Sequence, residues 1–176
     1  MEKKFINPRL LVIIGMILAG ALLRLIPHYP NFTPIAAMAL FGGAYFNNKK
    51  LAFVIPFAAM LLSDLFLGFH STMPFVYISF ALIVMIGFNL RNNKKVLNIA
   101  IASLSSSILF FVITNFAVWA SGGIYPLNAR GLVECFTMAI PFFQNNVLGD
   151  LLYTGIFFSV FELARLKFPV LTNAHA

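Results

Sequence analysis

The sequence predicts an all-α integral membrane protein with six transmembrane helices and both termini in the cytoplasm. Three observations support this fold class. Of the 176 residues, 61% are hydrophobic and only 10% are charged, which is too few charges to cover a soluble domain of this length. The apolar residues form runs long enough to cross a bilayer as helices. Ten of the twelve Lys and Arg residues fall in alternate gaps between these runs, as the cytoplasmic loops of membrane proteins do.

The basic residues also orient the chain. With the apolar runs numbered one to six along the chain, basic clusters lie before run one, between runs two and three, between runs four and five, and after run six. Their members are Lys3, Lys4, Arg9, Lys49, Lys50, Arg91, Lys94, Lys95, Arg165 and Lys167. These gaps are predicted to be cytoplasmic. Arg24 and Arg130 are the exceptions and lie on the outer side. Because the clusters flank apolar runs instead of forming one stripe, the lipid bilayer is the expected partner and nucleic acid is not.

The first five spans follow from the apolar runs and the prolines. They are predicted at about 10–26, 33–46, 51–69, 74–90 and 96–120. Pro27 closes span one, whereas Pro34 and Pro74 suit the first turns of spans two and four. Pro56 predicts a kink in span three. Span two is short and rich in Ala and Gly, and span five carries a serine cluster.

The last apolar region, 132–168, is too long for one span at about 1.5 Å per residue. Pro141 and the polar residues 144–146 divide it. We therefore predict an outer or re-entrant helix at about 132–140 and a sixth span at about 147–166. Irregular backbone at membrane depth needs cover from protein or a water-filled cavity, so a break here would indicate a binding site. The whole chain, 1–176, is predicted to form a single membrane domain.

Polar side chains within the predicted spans concentrate near their outer ends. A charge inside a span costs about 3 kcal/mol on insertion scales and usually marks a functional group or an ion pair. The candidate substrate-binding residues are Arg24, His28, Asn31, Asp64, His70, Asn115, Trp119, Tyr125, Arg130, Asn145, Asn146 and Asp150. For Arg24 two interpretations stay open: a structural ion pair with Asp64 or Asp150, or direct contact with the ligand.

Several of these positions also have structural explanations. Trp119 and Tyr125 lie where an interfacial aromatic belt would place them, as well as where they could stack on a ligand. Cys135 is expected to be a small buried hydrophobe, with a soft-metal contact as the alternative. His28 and His70 are too few and too far apart in sequence to predict a metal site. No metal and no cofactor is predicted.

Two further patterns concern helix contacts. Glu162 lies one turn from Arg165, which predicts an interfacial ion pair. Gly15 with Ala19 in span one, and Ala39 with Gly43 in span two, have the small-xxx-small spacing that lets helices approach closely. Internal packing is the simplest explanation for both small-residue pairs.

Three stretches carry a resemblance to a known family. They are residues 24–35 (RLIPHYPNFTPI) with the following 37–44 (AMALFGGA), 62–70 (LSDLFLGFH), and 139–153 (AIPFFQNNVLGDLLY). The chain resembles, over roughly residues 9–166, an uncharacterised bacterial family of predicted transport proteins. That family is similar to the S components, the substrate-binding subunits, of energy-coupling-factor (ECF) transporters.

This resemblance implies an S-component-like bundle in the bacterial cytoplasmic (inner) membrane that captures a vitamin or related micronutrient from outside. S components associate with a transmembrane coupling protein and two cytoplasmic ATPases through small residues of span one. The corresponding candidate docking residues here are Gly15 and Ala19. The chain has no Walker-type glycine loop of its own, so ATP hydrolysis would come from its partners.

The leading functional hypothesis is therefore a substrate-binding membrane subunit for micronutrient uptake, which is not itself an enzyme. One alternative is a membrane scaffold or assembly subunit without a ligand. Another is an integral-membrane enzyme using Asp64, His70 and Asp150, which would need a tight acid/base or metal constellation. A polar cavity of several hundred Å3 would favour the binding protein, and a closed apolar outer end would favour the scaffold.

Overall fold

Six α-helices follow one another in the computed structural model, which describes residues 7–172. Their bounds are α1 Pro8–Leu23, α2 Ile35–Tyr45, α3 Lys49–Leu67, α4 Met73–Asn89, α5 Val96–Ala120 and α6 Ala129–Lys167, followed by a short 3-10 helix, Pro169–Leu171. The predicted all-helical class is confirmed. Lys3 and Lys4 lie outside the described residues.

Three of these helices, α3, α5 and α6, are long and apolar enough to cross a membrane. The other three are apolar but shorter, with 16, 11 and 17 residues in α1, α2 and α4. A helix needs about 20 residues to cross the hydrocarbon core unaided. Six spans and the orientation of the termini therefore remain predictions.

The predicted division of the last apolar region is wrong. Helix α6 runs without interruption for 39 residues, through Pro141 and the polar positions after it. Pro141 lies on the exposed side, so its ring meets no neighbouring helix and its main cost is one missing hydrogen bond to the Thr137 carbonyl. Asn145 and Asn146 do not break the helix because each amide finds an acceptor, Pro30 O and Asp150 respectively.

Helix α2 forms the centre of the bundle. All eleven of its residues are buried, and α1, α3, α4, α5 and α6 pack against it. The closest approach is to α4, where a Cβ atom added to Gly43 would collide with Val84 O and lie 2.9 Å from Gly87 Cα. Internal packing therefore explains the small residues of α2.

The small-residue pair of α1 behaves differently. Gly15 and Ala19 are both exposed, and a Cβ atom added to Gly15 would meet no atom within 4 Å. Internal packing therefore does not explain this pair, and its face of α1 is open for a partner or for lipid.

Basic side chains converge where α2 ends. Arg9 donates to Tyr45 O at 3.2 Å, and Arg91 donates to Gly43 O at 3.0 Å and to Phe46 O at 2.7 Å. These contacts satisfy the last carbonyls of α2, which have no partner within the helix. We call this the basic end of the bundle.

The ion pair predicted at this end is confirmed. Arg165 donates to both carboxylate oxygens of Glu162 at 2.9 Å, and the Tyr45 hydroxyl donates to the same carboxylate. Lys94 lies in the α4–α5 connection with its Nζ 5.1 Å from the centroid of the Tyr45 ring. Burial lowers the pKa of Lys94. These contacts join α1, α2, α6 and the α4–α5 connection at the basic end.

Substitution of the two intrahelical prolines is expected to change the stability of the protein to different extents. Pro141→Ala is expected to stabilise the protein by up to about 3 kcal/mol, because alanine restores the missing N–H in an exposed part of α6. Pro56→Ala is the control: Pro56 is buried in α3 against Gly42, so truncation leaves a void that offsets the restored bond. Unfolding midpoints in detergent compare the two variants. A large loss of stability in Pro141→Ala would contradict the account of α6.

Candidate functional site

A cavity of about 460 Å3 lies at the end of the bundle opposite the basic end. Its walls come from the end of α1, the α1–α2 connection, the start of α2, the end of α3, the start of α4, and the sides of α5 and α6. Six of the twelve predicted binding residues line it: Arg24, His28, Asn31, His70, Asn115 and Asn146. Residues from α2 to α6 and Arg24, which follows the last residue of α1, therefore meet at one concave surface.

The remaining surface of the cavity is largely apolar, with three threonines among the hydrophobic side chains. Phe80 of α4 and Phe110 of α5 stack with their ring centroids 5.5 Å apart, and Phe142 of α6 adds a third ring. Such a mixed surface can hold a small molecule, because polar groups orient a ligand while apolar contact provides burial.

Arg24 lines the cavity and also closes an ion pair behind it. Its Nη1 donates to the Asp64 carboxylate and, at 2.7 Å, to Ser63 Oγ. The Tyr77 hydroxyl donates to the second carboxylate oxygen of Asp64 at 2.7 Å. Asp64 is only 3% exposed and does not reach the cavity surface. Of the two ion pairs considered for Arg24, the structure thus forms the one with Asp64.

Asp150 lies one helical turn beyond Asn146 on α6, away from the cavity surface. Its Oδ2 accepts hydrogen bonds from Ser107 Oγ at 2.6 Å and from Asn146 Nδ2 at 2.5 Å. Asp150 is 3% exposed, and Ser107 is fully buried. Asn146 therefore connects the cavity to a buried carboxyl group between α5 and α6.

Four predicted binding residues satisfy their polar groups elsewhere or lie off the cavity. Trp119 Nε1 donates to Pro126 O at 3.0 Å, and Asn145 Nδ2 donates to Pro30 O at 3.2 Å. Arg130 pairs with Glu134 at 2.9 Å on the exposed first turns of α6. Tyr125 lies in the α5–α6 connection and is not part of the cavity wall. With Asp64 and Asp150, six of the twelve candidates lie off the surface.

The structure adds cavity residues that sequence reasoning missed. They are small polar and apolar side chains: Thr33, Ile35, Leu67, Thr72, Val76, Phe80, Phe110, Thr114, Val118, Ala139 and Phe142. Helical spacing could have found several of them, because residues four apart share a face. Phe110 precedes Thr114 by four residues, and Phe142 precedes Asn146 by four.

The site shows little that resembles a catalytic or metal centre. In residues 7–172 no group of three or more His, Cys, Asp or Glu side chains is arranged to hold a metal ion. His28 Nδ1 lies 2.6 Å from Ile26 O, and His70 Nδ1 lies 3.0 Å from Thr72 Oγ1. Cys135 is buried with its Sγ 3.4 Å from Asn115 O, as expected for a small hydrophobe.

Comparison with known proteins places the chain in a family. A family model described as "Family of unknown function (DUF6580)" matches residues 4–171. No curated protein and no solved structure matches the chain. Because the match covers almost the whole sequence, it includes all six helices and every residue of the cavity. The chain belongs to this family of unknown function, DUF6580.

Proposed function

We propose that the chain is a substrate-binding membrane protein that captures a small micronutrient, such as a vitamin, from outside the bacterial cytoplasmic membrane. The observation that carries this proposal is the cavity of about 460 Å3 lined by nine polar residues and by aromatic and aliphatic side chains. Small-molecule sites commonly have volumes of about 300–1,000 Å3. A scaffold without a ligand would have no need of such a cavity.

The proposed topology has six spans with both termini inside. The basic residues converge at one end and the cavity occupies the other, as expected if the basic end faces the cytoplasm. Helix α2, with 11 residues, is shorter than the hydrocarbon core. Its length is tolerable because all of its residues are buried by the surrounding helices, so that lipid does not meet its ends.

The charges suggest what kind of ligand fits. The charge of Arg24 is balanced by Asp64, and the other polar groups at the surface are amides, hydroxyls and imidazoles. The wall therefore offers hydrogen bonds with little net charge. A neutral or zwitterionic ligand with an aromatic or aliphatic body would match both parts of the surface.

Energy for uptake would come from partner proteins. An ECF-type coupling protein with two cytoplasmic ATPases is the arrangement implied by the sequence resemblance. The exposed face of α1 that contains Gly15 and Ala19 also carries Leu11, Leu18 and Leu22. An apolar helix face with small residues lets another helix approach closely, so this face is the proposed docking surface.

Ligand capture is tested by purifying the protein from cells grown in rich medium and identifying co-purifying small molecules by mass spectrometry. We expect a reproducible small molecule, and a reduction of about fivefold in its amount for Asn115→Ala, since a lost hydrogen bond is worth about 1 kcal/mol. Asn98→Ala is the matched control. Both amides lie on α5 and donate to a backbone carbonyl, but Asn98 lies at the basic end.

Two results would contradict the proposal. One is a ligand-free protein that also shows no thermal shift against a panel of vitamins. The other is an equal loss of the bound molecule in Asn115→Ala and Asn98→Ala, because only Asn115 lines the cavity.

A further inference from the structure

Asp150 is a buried carboxyl group with no counter-charge. It is 3% exposed, and its hydrogen-bond donors, Ser107 and Asn146, are neutral. The ion pairs found within residues 7–172 are Arg24–Asp64, Arg130–Glu134 and Arg165–Glu162. Asp64 is buried to the same degree, but it is compensated by Arg24. Asp150 has no such compensation.

Within residues 7–172 no basic side chain of the elements around Asp150 forms an ion pair with it. Helix α5 and the 3-10 helix contain no charged or titratable residue. Helix α2 contributes only Tyr45, at its far end and bonded to Glu162. Helix α6 carries the other titratable or charged groups Arg130, Glu134, Cys135, Tyr153, Glu162, Arg165 and Lys167. The α1–α2 connection carries His28 and Tyr29, and Arg24 lies at the end of α1. All of the charged ones on α6 are at least three turns away, and Arg24 is bonded to Asp64.

An isolated ionised carboxylate is costly in an apolar interior, so such a group binds a cation or a proton. The geometry favours the proton. A metal ion needs several oxygens around it at about 2–2.6 Å. Here Ser107 Oγ and Asn146 Nδ2 already lie at 2.6 and 2.5 Å from Asp150 Oδ2. The amide presents N–H groups to this oxygen, which repel a cation.

The hydrogen bonds around Asp150 can also accommodate a proton. Ser107 Oγ lies 2.6 Å from Asp150 Oδ2 and 3.1 Å from Ser103 O, and its single hydroxyl proton serves one of them at a time. When Asp150 is ionised, Ser107 donates to the carboxylate. When a proton binds Oδ2, the new O–H donates to Ser107 Oγ and Ser107 donates to Ser103 O. Neither state leaves the serine without a partner.

We propose that Asp150 is a proton-binding site coupled to the cavity through Asn146. The proton comes from water in the cavity, forms an O–H bond on the carboxylate, and returns to water when it leaves. Protonation turns the charge-assisted bond from Asn146 into a weaker neutral one, which releases the amide to hydrogen-bond a ligand. The link to a ligand rests on the proposed function, whereas the proton site itself does not.

Infrared spectroscopy of the purified protein in lipid nanodiscs tests the proton site without any ligand. We expect the carbonyl-stretching band of a protonated carboxyl group in the wild type, shifted in D2O and lost as the pH is raised. The band should be absent from Asp150→Asn and unchanged in Glu134→Gln, a control carboxyl that is partly exposed and paired with Arg130. Absence of any Asp150-dependent band from mildly acidic to alkaline pH would overturn the proposal. Loss of the band when Na+ replaces choline at constant pH would assign the site to a metal cation and overturn it too.

The link to Asn146 has its own pair of variants. Asn146→Leu removes a donor to the ionised form, so the band should persist to a pH about one unit higher than in the wild type. Asn145→Leu, at the adjacent position that bonds Pro30 O, should leave that pH unchanged. Equal shifts in both variants would refute the coupling through Asn146. If Asp150→Asn fails to fold, Ser107→Ala keeps the carboxyl and should shift the frequency of the same band. An unshifted band there would refute the assignment.

Discussion

Replacing Arg24 with leucine is expected to destabilise the folded protein by about 3–5 kcal/mol, whereas replacing both Arg24 and Asp64 with leucine costs much less. The side chains of Arg24 and Asp64 are 14% and 4% exposed. The single substitution leaves the Asp64 carboxylate buried with the neutral donor Tyr77, whereas the double substitution removes both charges. Denaturant unfolding in detergent, analysed as a double-mutant cycle, measures the difference.

Arg130→Leu is the control for this cycle. Arg130 also forms an ion pair, with Glu134, but its side chain is 88% exposed. Exposed pairs contribute about 0–1 kcal/mol because water and salt screen them. Arg24→Leu and Arg130→Leu should therefore differ clearly. Equal effects would mean that Arg24 and Asp64 are solvated, contrary to their burial.

The cycle also separates the two interpretations of Arg24. Loss of ligand in Arg24→Leu alone would be ambiguous, because an unfolding protein loses its cavity as well. The double variant Arg24→Leu, Asp64→Leu keeps the fold and removes the guanidinium from the cavity surface. If it still retains the ligand, Arg24 is a structural residue. If it loses the ligand while remaining folded, Arg24 also contacts the ligand.

The helices could be predicted from the sequence because apolar runs and basic residues follow simple physical rules. The predicted span at 96–120 coincides with α5, and 74–90 differs from α4 by one residue at each end. Helix α1 ends at Leu23, three residues before the predicted end, because the chain turns before Pro27. The predicted break at Pro141 assumed that one proline and three polar residues end a helix. In α6 the Asn145 and Asn146 amides have partners, and the proline costs one hydrogen bond.

Only part of the cavity lining was predicted. The basic residues indicate how deep in the membrane a residue lies along its helix, but not towards which side of the helix its side chain points. Asn145 and Asn146 have almost the same depth, yet adjacent helical residues point about 100° apart. One bonds the α1–α2 connection and the other lines the cavity. Trp119 shares a face of α5 with Asn115 but lies one turn further along the helix, where its indole donates to Pro126 O. The neighbours that a side chain points towards depend on how the six helices pack, and long-range contacts determine that packing.

The second large effect is expected where α2 meets α4. Gly43→Ala should destabilise the protein by about 1–3 kcal/mol, because the new methyl group would collide with Val84 O and crowd Gly87 Cα. Backbone atoms cannot rotate away as a flexible side chain can, so the two helices must separate. Helix α4 also provides the Val76 and Phe80 surface of the cavity, and separation should weaken ligand binding as well. Unfolding midpoints and retained ligand are measured together.

Gly155→Ala is the matched control, because it makes the same chemical change in α6 where a Cβ atom meets nothing within 4 Å. Alanine is the better helix former by about 1 kcal/mol, so this variant should be as stable as the wild type or more stable. Replacement of glycine by alanine is thus expected to lower the free energy of unfolding at Gly43 and to leave it unchanged or raise it at Gly155. Gly43→Ala combined with Gly87→Ala should cost less than the sum of the two, since both methyl groups act on one contact. If Gly43→Ala behaves like Gly155→Ala, helices α2 and α4 do not approach at these glycines, and the cavity walls they support would be displaced.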